Sequence, residues 1–433
     1  MLTTLLKPRS QQASARIGTC IAAGVIVWLL LTQISMIHNI RNGLSETADP
    51  YSEANAIRAA EHYAKYGFLV DAGLPHIAYG ERFPKQGSVF EWDLALLPSG
   101  VYTRWPPLPD IICGILEKTI GYSHLWVWRL VPVSFELIAT AYAFIALRHV
   151  LGPIAAGAMI GLLSIIPMVT SHMHGLHAQG YEHAAFLCEL ALLVRIFFSS
   201  ARPSMVHYAA IFGLGFLQGW LSFEYAFVVT GAAVPLALVA RAHQSPVAVR
   251  KTLLVVILSG AGFTVAHMLH FLQVVQFYGT MSLALHEFSA RALYRFAGEV
   301  QKPYLVHVAT NLIRYLKVLW FIPYNQHFGP MLVLFSIIVI LDRIMTMKVS
   351  TGPHTRARWY LALFFDKRVV LPVLLSYGIA ALWLLAMPSH AELHPHIVPR
   401  IFFFPYFVLV LIFMLHLFEH LPTINGDGII GRS

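Results

Sequence analysis

The chain has 433 residues, of which 57% are hydrophobic and 12% are charged, and its formal net charge is +9. Soluble domains carry about 25% charged residues, so this composition excludes an ordinary soluble globular protein and indicates a polytopic membrane protein. The positive charge does not indicate nucleic-acid binding, because the basic residues cluster between apolar runs, where they orient a protein in the membrane. We predict one transmembrane domain over residues 1–433.

Several apolar runs approach the roughly 20 residues that a helix needs to cross a bilayer. The predicted spans, in chain order, are 17–37, 124–148, 152–171, 183–199, 205–222, 224–241, 252–276, 330–347, 369–387 and 401–420. The shorter run 108–121 is predicted to lie at the interface or to enter the bilayer partway. Segment 303–323, which contains Arg314 and Lys317, is ambiguous. The expected fold is an all-α bundle of about 10–11 transmembrane helices.

The basic residues of the short loops predict an orientation. They fall in alternate loops, which all become cytoplasmic if the N-terminus is cytoplasmic: Arg148, Arg195, Arg202, Arg241, Arg250, Lys251 and the cluster from Arg343 to Arg368. This assignment requires that 303–323 does not fully cross the membrane. Five regions then lie on the outer side, namely 38–107, 172–182, 222–225, 277–329 and 388–400. Because this face is rich in His, carboxylates and aromatics, we expect chemistry there.

The outer loop 38–107 carries the first candidate for chemistry, Asp49. Pro50 follows it and favours a helix start, so Asp49 is suited to cap that helix. The alternative is a carboxylate held at the membrane surface as general base for an acceptor hydroxyl or amine. Glu53, one turn further on, is placed to share that task or to bind a cation.

An amphipathic helix is predicted over 52–66, with Gly67 as its stop signal. Its predicted apolar face consists of Ala56, Ala59, Ala60 and Tyr63, and its predicted polar face of Arg58, Glu61 and Lys65.

The outer loop ends in a stiff turn, where Pro106 and Pro107 lead the chain back to the membrane. Arg104 stands beside Trp105 just before it. A guanidinium next to a headgroup-level aromatic is suited to bind phosphate, and it is equally suited to anchor the turn at the interface.

Taken in order, the motifs resemble the GT-C glycosyltransferases of the protein O-mannosyltransferase and aminoarabinose-transferase type. The motifs are the loop helix ending in Gly67-Phe68, then Trp105-Pro106-Pro107-Leu108, Ile120-Gly121, Trp128-Arg129-Leu130-Val131-Pro132, Arg148-His149-Val150-Leu151-Gly152 and Ile166-Pro167. The resemblance covers about residues 15–240 and again 388–410. It implies a GT-C-like bundle, a sugar donor linked to polyprenyl phosphate, and Asp49 as catalytic base. The family often has a second acidic residue beside that base, and here the next candidate, Glu53, is separated from it.

Loop 172–182 carries Glu182, which matches the carboxylate that the same family often places ahead of a Leu-Ala-Leu helix. Glu182 is predicted to position substrate or the helix. The spacing of His172, His174 and His177 matches no closed structural metal site. We therefore assign no metal ligand, while a divalent ion near these three histidines stays an alternative.

Glu224 stands between two apolar spans, and a carboxylate at the edge of the hydrocarbon is costly unless it is paired. It is therefore predicted to contact substrate, with a solvated turn residue as the alternative.

Loop 388–400 ends in Arg400, which is followed by aromatics and a proline as is frequent in the family. Its guanidinium is the best predicted phosphate ligand, and His394 and His396 are predicted to assist it. The alternative for Arg400 is snorkelling to the interface at the end of a span.

The last candidate lies in loop 277–329, where 282–300 is predicted to form an amphipathic helix on the membrane. Arg291 and Arg295 are four residues apart and share a face, so they are suited to bind the phosphate of the donor or of anionic lipids.

The sequence thus predicts an integral protein of a bacterial inner membrane that transfers a sugar from a polyprenyl-phosphate donor to a lipid, glycan or protein acceptor on the outer face. No nucleotide-phosphate motif or nucleophile elbow is present in the sequence. Two alternatives remain, a non-catalytic GT-C-like subunit of a membrane complex and a transporter. A transporter predicts paired charges at mid-membrane and often internal repeats, whereas the sequence has few charges within spans, with Glu136 and Glu189 as the exceptions, and no repeat.

Overall fold

The computed structural model describes residues 2–45, 50–78, 100–199, 202–243, 245, 247–297, 305–306, 308–310, 312–313, 370–388 and 397–419. Within these ranges the protein is mostly helical and has no strand, and one isolated antiparallel β-bridge joins His76 to Val101. The predicted span 330–347 and most of segment 303–323 lie outside the described residues, so their predictions stay untested.

The first half of the chain contains eight described helices. They are α1 (Leu2–Ile40), α2 (Pro50–Tyr66), α3 (Leu108–Thr119), α4 (Leu125–Trp128), α5 (Leu130–Leu151), α6 (Pro153–Ser164), α7 (Pro167–His172) and α8 (Gln179–Phe198). One-turn 3₁₀ segments lie at Val70–Gly73 and Tyr122–His124.

The described helices of the second half are α9 (Met205–Leu221), α10 (Ala226–Gly231), α11 (Ala233–Ala242), α12 (Val249–Tyr278), α13 (Met281–Ala297), α14 (Val370–Ala386) and α15 (Ile397–Glu419). Four stretches of the described chain are long and apolar enough to cross a membrane by length and composition: Gln12–Ile40, Tyr122–Leu151, Val249–Tyr278 and Ile397–Leu415.

Helix α15 lies at the centre of the largest apolar core. Of its most apolar window, 89% is buried inside the protein, against 22% for α1. Phe403, Phe404 and Phe407 on α15 are fully buried and join a core that α5, α6, α8 and α11 complete. The apolar surface of α1 therefore faces outwards, as expected for a helix in contact with lipid.

Small residues allow some helices to pack closely. A Cβ added to Gly262 of α12 would lie 2.1 Å from the carbonyl oxygen of Phe212, and one added to Gly215 of α9 would lie 2.3 Å from that of Ser259. Backbone approach of this kind is common where helices associate within a membrane.

Two predicted spans are interrupted in the structure, each by a proline. The predicted span 152–171 breaks at Ile166, because Pro167 begins a new helix and cannot continue the hydrogen-bond ladder of α6. The predicted span 224–241 is divided into α10 and α11, and Pro235 stands in the first turn of α11.

The helix predicted over 52–66 is observed as α2, and the chain leaves it at Gly67 with φ +95°. Arg58, on the face opposite the alanines, is buried, and its side chain donates to that of Asn55 at 3.1 Å. The predicted apolar face packs against α3, where a Cβ at Gly114 would lie 2.9 Å from Tyr63. The helix predicted over 282–300 is observed as α13 through Ala297.

Candidate functional site

Regions that the charge pattern assigns to the outer side contact one another in the structure. Ser45 of the first outer loop hydrogen-bonds to His174 of loop 172–182, with 2.8 Å between Oγ and Nε2. Trp105 stacks on Phe223, with ring centroids 4.4 Å apart and planes inclined by 25°. These contacts bring three of the five regions to one end of the bundle.

The stiff turn that ends the first outer loop, at 103–107, also connects this end of the bundle to the second outer loop, 277–329. Thr103 donates its hydroxyl to the Glu287 carboxylate of α13 at 3.4 Å, and its carbonyl oxygen lies 3.0 Å from Nε2 of His270 on α12. Arg104 is half-buried between Thr103 and Trp105, both of which are held by these contacts. The turn therefore fixes the backbone from which Arg104 projects.

A buried ion pair between Glu53 and Arg129 forms the first polar centre, called here the Glu53 centre. The Arg129 guanidinium donates to both carboxylate oxygens of Glu53, at 2.6 and 3.0 Å, and both side chains are fully buried. Such a bidentate pair is among the strongest polar contacts in proteins. Arg129 joins α4 to α5, so the pair ties the outer-loop helix α2 to the start of a membrane-length helix.

Backbone groups of two loops complete the Glu53 centre. Glu53 accepts from two backbone N–H groups and Arg129 donates to two backbone carbonyls: Ser45 N at 2.8 Å, Leu176 N at 3.3 Å, Gly43 O at 2.8 Å and His174 O at 3.3 Å. Each charge thus has its opposite partner and further hydrogen bonds, which is the condition under which a buried ion pair is tolerated.

His174 is buried beside this pair as a neutral imidazole. The Gln33 side-chain N–H donates to the carbonyl of Thr170 at 2.7 Å, so its oxygen faces Nδ1 of His174 at 2.9 Å and accepts a hydrogen bond from the Nδ1–H group. Nε2 is then left to accept from Ser45. Burial, followed by the charge of Arg129, lowers the pKa of His174 to about 4.

Asp49, the predicted base, lies outside the described residues. The described residues on either side of this gap are held, because Ser45 is bonded to the Glu53 centre and Pro50 begins α2. The four residues that link them are Glu46, Thr47, Ala48 and Asp49.

Arg400 forms the second polar centre with Glu182 and Glu224, called here the Arg400 centre. Nη1 donates to Oε2 of Glu182 at 2.8 Å, and Nη2 lies 2.9 Å from Oε2 of Glu224. All three side chains are at most 3% exposed. Two carboxylates thus surround one guanidinium, and they come from the first turn of α8 and from the turn between α9 and α10.

The neighbours of the Arg400 centre are polar on one side and aromatic on the other. Gln218 of α9 donates to the Glu182 carbonyl at 3.0 Å, while Tyr225 is fully buried beside Phe186, with ring centroids 5.3 Å apart. Among the described residues, the Tyr225 hydroxyl has no hydrogen-bond partner. A buried hydroxyl of this kind calls for water or a bound molecule.

Two further carboxylates lie deeper in the bundle. Both oxygens of Glu136 lie 2.9 Å from Nδ1 of His183, and Ser259 donates to Glu189 at 2.6 Å. All four side chains are buried. Glu136 and Glu189 were noted in the sequence as charges within spans, but their partners lie on other helices and were not predicted.

The ion pair of Arg129 with Glu53 was not predicted, and the sequence indicated Arg129 only as part of a family motif. A signal was present, because an arginine at the start of an apolar run needs a buried partner or an exit to the interface. The sequence did not indicate which carboxylate that partner would be.

The remaining predicted residues are less well placed by the structure. Arg291 lies on α13, but its side chain is not among the described ones. His394 and His396 lie outside the described residues. Their predicted phosphate contacts therefore stay predictions.

The three histidines of loop 172–182 each contact a neighbour by hydrogen bonding. Beyond the bonds of His174, His172 pairs with Ser171 at 2.9 Å, and His177 accepts from the backbone of Gln179 at 3.2 Å. Within the described part of the chain, the group whose ligand atoms lie close enough for a shared ion is a different one, His62, Asp71 and His76.

Comparison with known proteins returned no relative. No protein-family model, no curated protein and no solved structure matches this chain.

Proposed function

We propose that the protein is a membrane-embedded glycosyltransferase that moves a sugar from a polyprenyl-phosphate donor to an acceptor at the outer face of the membrane. The observation that carries this proposal is the convergence of the predicted outer regions at one end of the bundle. Glu53, Arg104, Glu182, Glu224 and Arg400 are all held at that end by mutual or adjacent contacts. The order of sequence motifs supports the GT-C reading of that arrangement.

In the proposed reaction, Asp49 removes the proton from an acceptor hydroxyl or amine. The acceptor atom forms a bond to the anomeric carbon of the sugar, while the bond from that carbon to the phosphate oxygen breaks. The polyprenyl phosphate leaves with the bonding electron pair, and the configuration at the anomeric carbon inverts. Oriented groups of this kind supply catalysis through positioning and through charge stabilisation.

The contacts of Glu53 favour a positioning task for it over base catalysis. Its carboxylate is fully buried, and it accepts four hydrogen bonds from Arg129, Ser45 and Leu176. A base must be able to reach the acceptor proton. Glu53 instead holds Ser45, at the start of the short segment that contains Asp49.

The contacts of Arg400 favour Arg104 as the main ligand of the donor phosphate. Arg400 is already surrounded by two carboxylates and is 1% exposed, so a phosphate would have to displace one of them. Arg104 is half-buried beside the Trp105–Phe223 stack, where a guanidinium can meet a headgroup and the aromatics can meet an apolar chain. Arg291 is the second candidate, from α13.

The test is a transfer assay on the purified full-length protein in lipid nanodiscs. Polyprenyl-phosphate mannose and polyprenyl-phosphate aminoarabinose are supplied separately with a mixed lipid and peptide acceptor pool, and release of polyprenyl phosphate is measured. Asp49→Asn should lower release by about 10²- to 10⁴-fold, the usual contribution of a general base. Asp93→Asn, in the same loop, serves as the matched control and should retain wild-type release.

Full release by Asp49→Asn would remove Asp49 from the mechanism. If the wild-type protein releases no polyprenyl phosphate from either donor and binds neither of them, the glycosyltransferase proposal fails.

One observation favours a second candidate, a proton-coupled transporter. Glu136 and His183 form a buried pair between α5 and α8, and Glu189 is buried against Ser259. Buried ionisable pairs within membrane helices are typical of proton pathways. A transporter should lose proton uptake in proteoliposomes on Glu136→Gln and keep it on Asp49→Asn, whereas the glycosyltransferase proposal expects the activity to depend on Asp49.

A further inference from the structure

A cluster of two histidines and one aspartate lies away from both polar centres, where the outer loop leaves α2. His62 stands near the C-terminal end of α2, Asp71 lies in the 3₁₀ segment after it, and His76 lies in the β-bridge beyond. One ligand atom from each residue lies within 4.8 Å of the other two. We propose that this cluster binds a divalent transition-metal ion of the Zn²⁺ type, and that the ion clamps the outer loop to α2.

The distances are close to those a bound ion needs. Nitrogen and oxygen ligands at 2.0–2.2 Å around a tetrahedral Zn²⁺ lie about 3.4 Å apart. Nε2 of His62 lies 3.8 Å from Oδ2 of Asp71, which is longer than a hydrogen bond. A shift of about half an ångström, within the reach of side-chain rotation, therefore brings this pair to ligand spacing.

The two imidazoles are held side by side by the fold. Their rings stack with centroids 4.7 Å apart and planes inclined by 27°. His76 is fixed by the bridge to Val101, in which Tyr102 N–H donates to Pro75 at 2.7 Å.

Gly100 provides the space for the His76 ring. A Cβ at this position would lie 2.8 Å from the Cε1 atom of His76, and the glycine has φ +72°. The absence of a side chain at Gly100 and its positive φ thus both serve the placement of this histidine.

Asp71 is held in a backbone conformation that costs free energy. Asp71 and Ala72 have φ of +53° and +59°, in the left-handed region, although neither is glycine. The turn is retained because Tyr63 donates to the Gly73 carbonyl at 2.7 Å and Gln273 of α12 donates to that of Ala72 at 3.2 Å. Strained turns of this kind are common at ligand sites, and this one directs the carboxylate towards the two histidines.

The types of ligand atom in the cluster indicate which class of metal ion it would bind. Two imidazoles and one carboxylate suit Zn²⁺ and similar transition metals, whereas Mg²⁺ and Ca²⁺ prefer oxygen ligands alone. Three protein ligands leave a coordination position for water or another group. The proposed clamp does not depend on the glycosyltransferase reaction, because it follows from these three side chains alone.

The test is metal binding by the full-length, tag-free protein in detergent after treatment with a chelator. Titration with ZnCl₂, followed by calorimetry and by elemental analysis after desalting, should give about one tightly bound Zn²⁺ per chain. Asp71→Asn, which keeps the shape of the side chain and tolerates positive φ, should weaken binding by more than about 100-fold, beyond the usual effect of losing a group behind a ligand. His76→Gln should have the same effect.

Two controls locate the ion. His124→Gln removes an exposed histidine and should leave the affinity unchanged. The double variant His172→Gln with His177→Gln removes two histidines of the other candidate loop and should also bind like wild type. X-ray absorption of the Zn²⁺-loaded wild-type protein should show two imidazole ligands, which tests the site even if a variant fails to fold.

Three results would overturn the proposal. They are a wild-type protein that takes up no Zn²⁺, an absorption spectrum without two imidazoles, and loss of binding in the His172 and His177 double variant with retention in Asp71→Asn.

Discussion

Arg129 and Arg400 are both buried beside glutamates at the same end of the bundle, yet their partners differ in number and in kind. Arg129 faces one carboxylate and two backbone carbonyls, and its partner Glu53 also accepts from two backbone N–H groups. Arg400 faces two carboxylates. The described contacts of the Glu53 centre therefore pair one guanidinium with one carboxylate, whereas those of the Arg400 centre place two carboxylates beside one guanidinium.

This difference distinguishes an ion pair that stabilises the fold from a site that can respond to a ligand. A one-to-one buried pair with several hydrogen bonds resists change, because losing one partner leaves a buried charge alone. An excess carboxylate can instead take up a proton or a cation without leaving the guanidinium unpaired. Segment 173–183 contributes to both centres, through His174 and Leu176 at one end and Glu182 at the other, so a short stretch of chain connects them.

The largest expected effect is at Arg129. Arg129→Met leaves the buried Glu53 carboxylate without its counter-charge and should lower the free energy of unfolding by about 3–5 kcal/mol. SDS titration followed by circular dichroism measures it. Arg148→Met, at an exposed arginine, is the control and should change stability by no more than about 0.5 kcal/mol. Equal stability of the two variants would show that the Glu53 centre does not stabilise the fold.

The next effect is a pH dependence that belongs to the Glu53 centre. The pKa of His174 is lowered from 6.5 to about 4 in the folded protein. As the pH falls, this histidine is therefore protonated in the unfolded chain before it is protonated in the folded protein. The free energy of unfolding is therefore unaffected by His174 above about pH 6.5. It decreases by up to about 3 kcal/mol as the pH falls towards 4. Thermal unfolding across this range should show a shallower acid loss in His174→Gln than in wild type.

His124→Gln, at an exposed histidine, is the control for that experiment and should keep the wild-type slope. An acid loss of stability that is identical in wild type and His174→Gln would mean that His174 is not a buried neutral group.

The smallest expected effect is at the Arg400 centre. Glu182→Gln or Glu224→Gln alone leaves a one-to-one ion pair and should cost less than about 1.5 kcal/mol, the usual value of one hydrogen bond. The double variant removes both carboxylates that the structure shows beside Arg400 and should cost clearly more than the sum of the two single changes. SDS titration of the three variants measures this non-additivity. Additive costs would mean that both carboxylates are needed, and the contrast with the Glu53 centre would disappear.

Local patterns in the sequence predicted local structure well. The helical spacing of alanines and charged residues predicted the helix α2, and Gly67 predicted its end. The prolines that interrupt two predicted spans, Pro167 and Pro235, are also visible in the sequence. The burial of Arg58 was not predictable from the pattern of α2, because a helix's own pattern does not specify how its charged face is covered.

Hydropathy and turn residues act over short distances, so the sequence alone indicates a mostly helical, strongly apolar chain whose polar residues gather in a few regions. Which charges meet depends instead on contacts between distant parts of the chain. Glu53 pairs with a residue 76 positions away, and Glu182 with one 218 positions away. Several arginines and glutamates have the same local pattern. The packing that brings α2 to Arg129 and α8 to α15 selects among them, since a buried charge is stable only beside a partner.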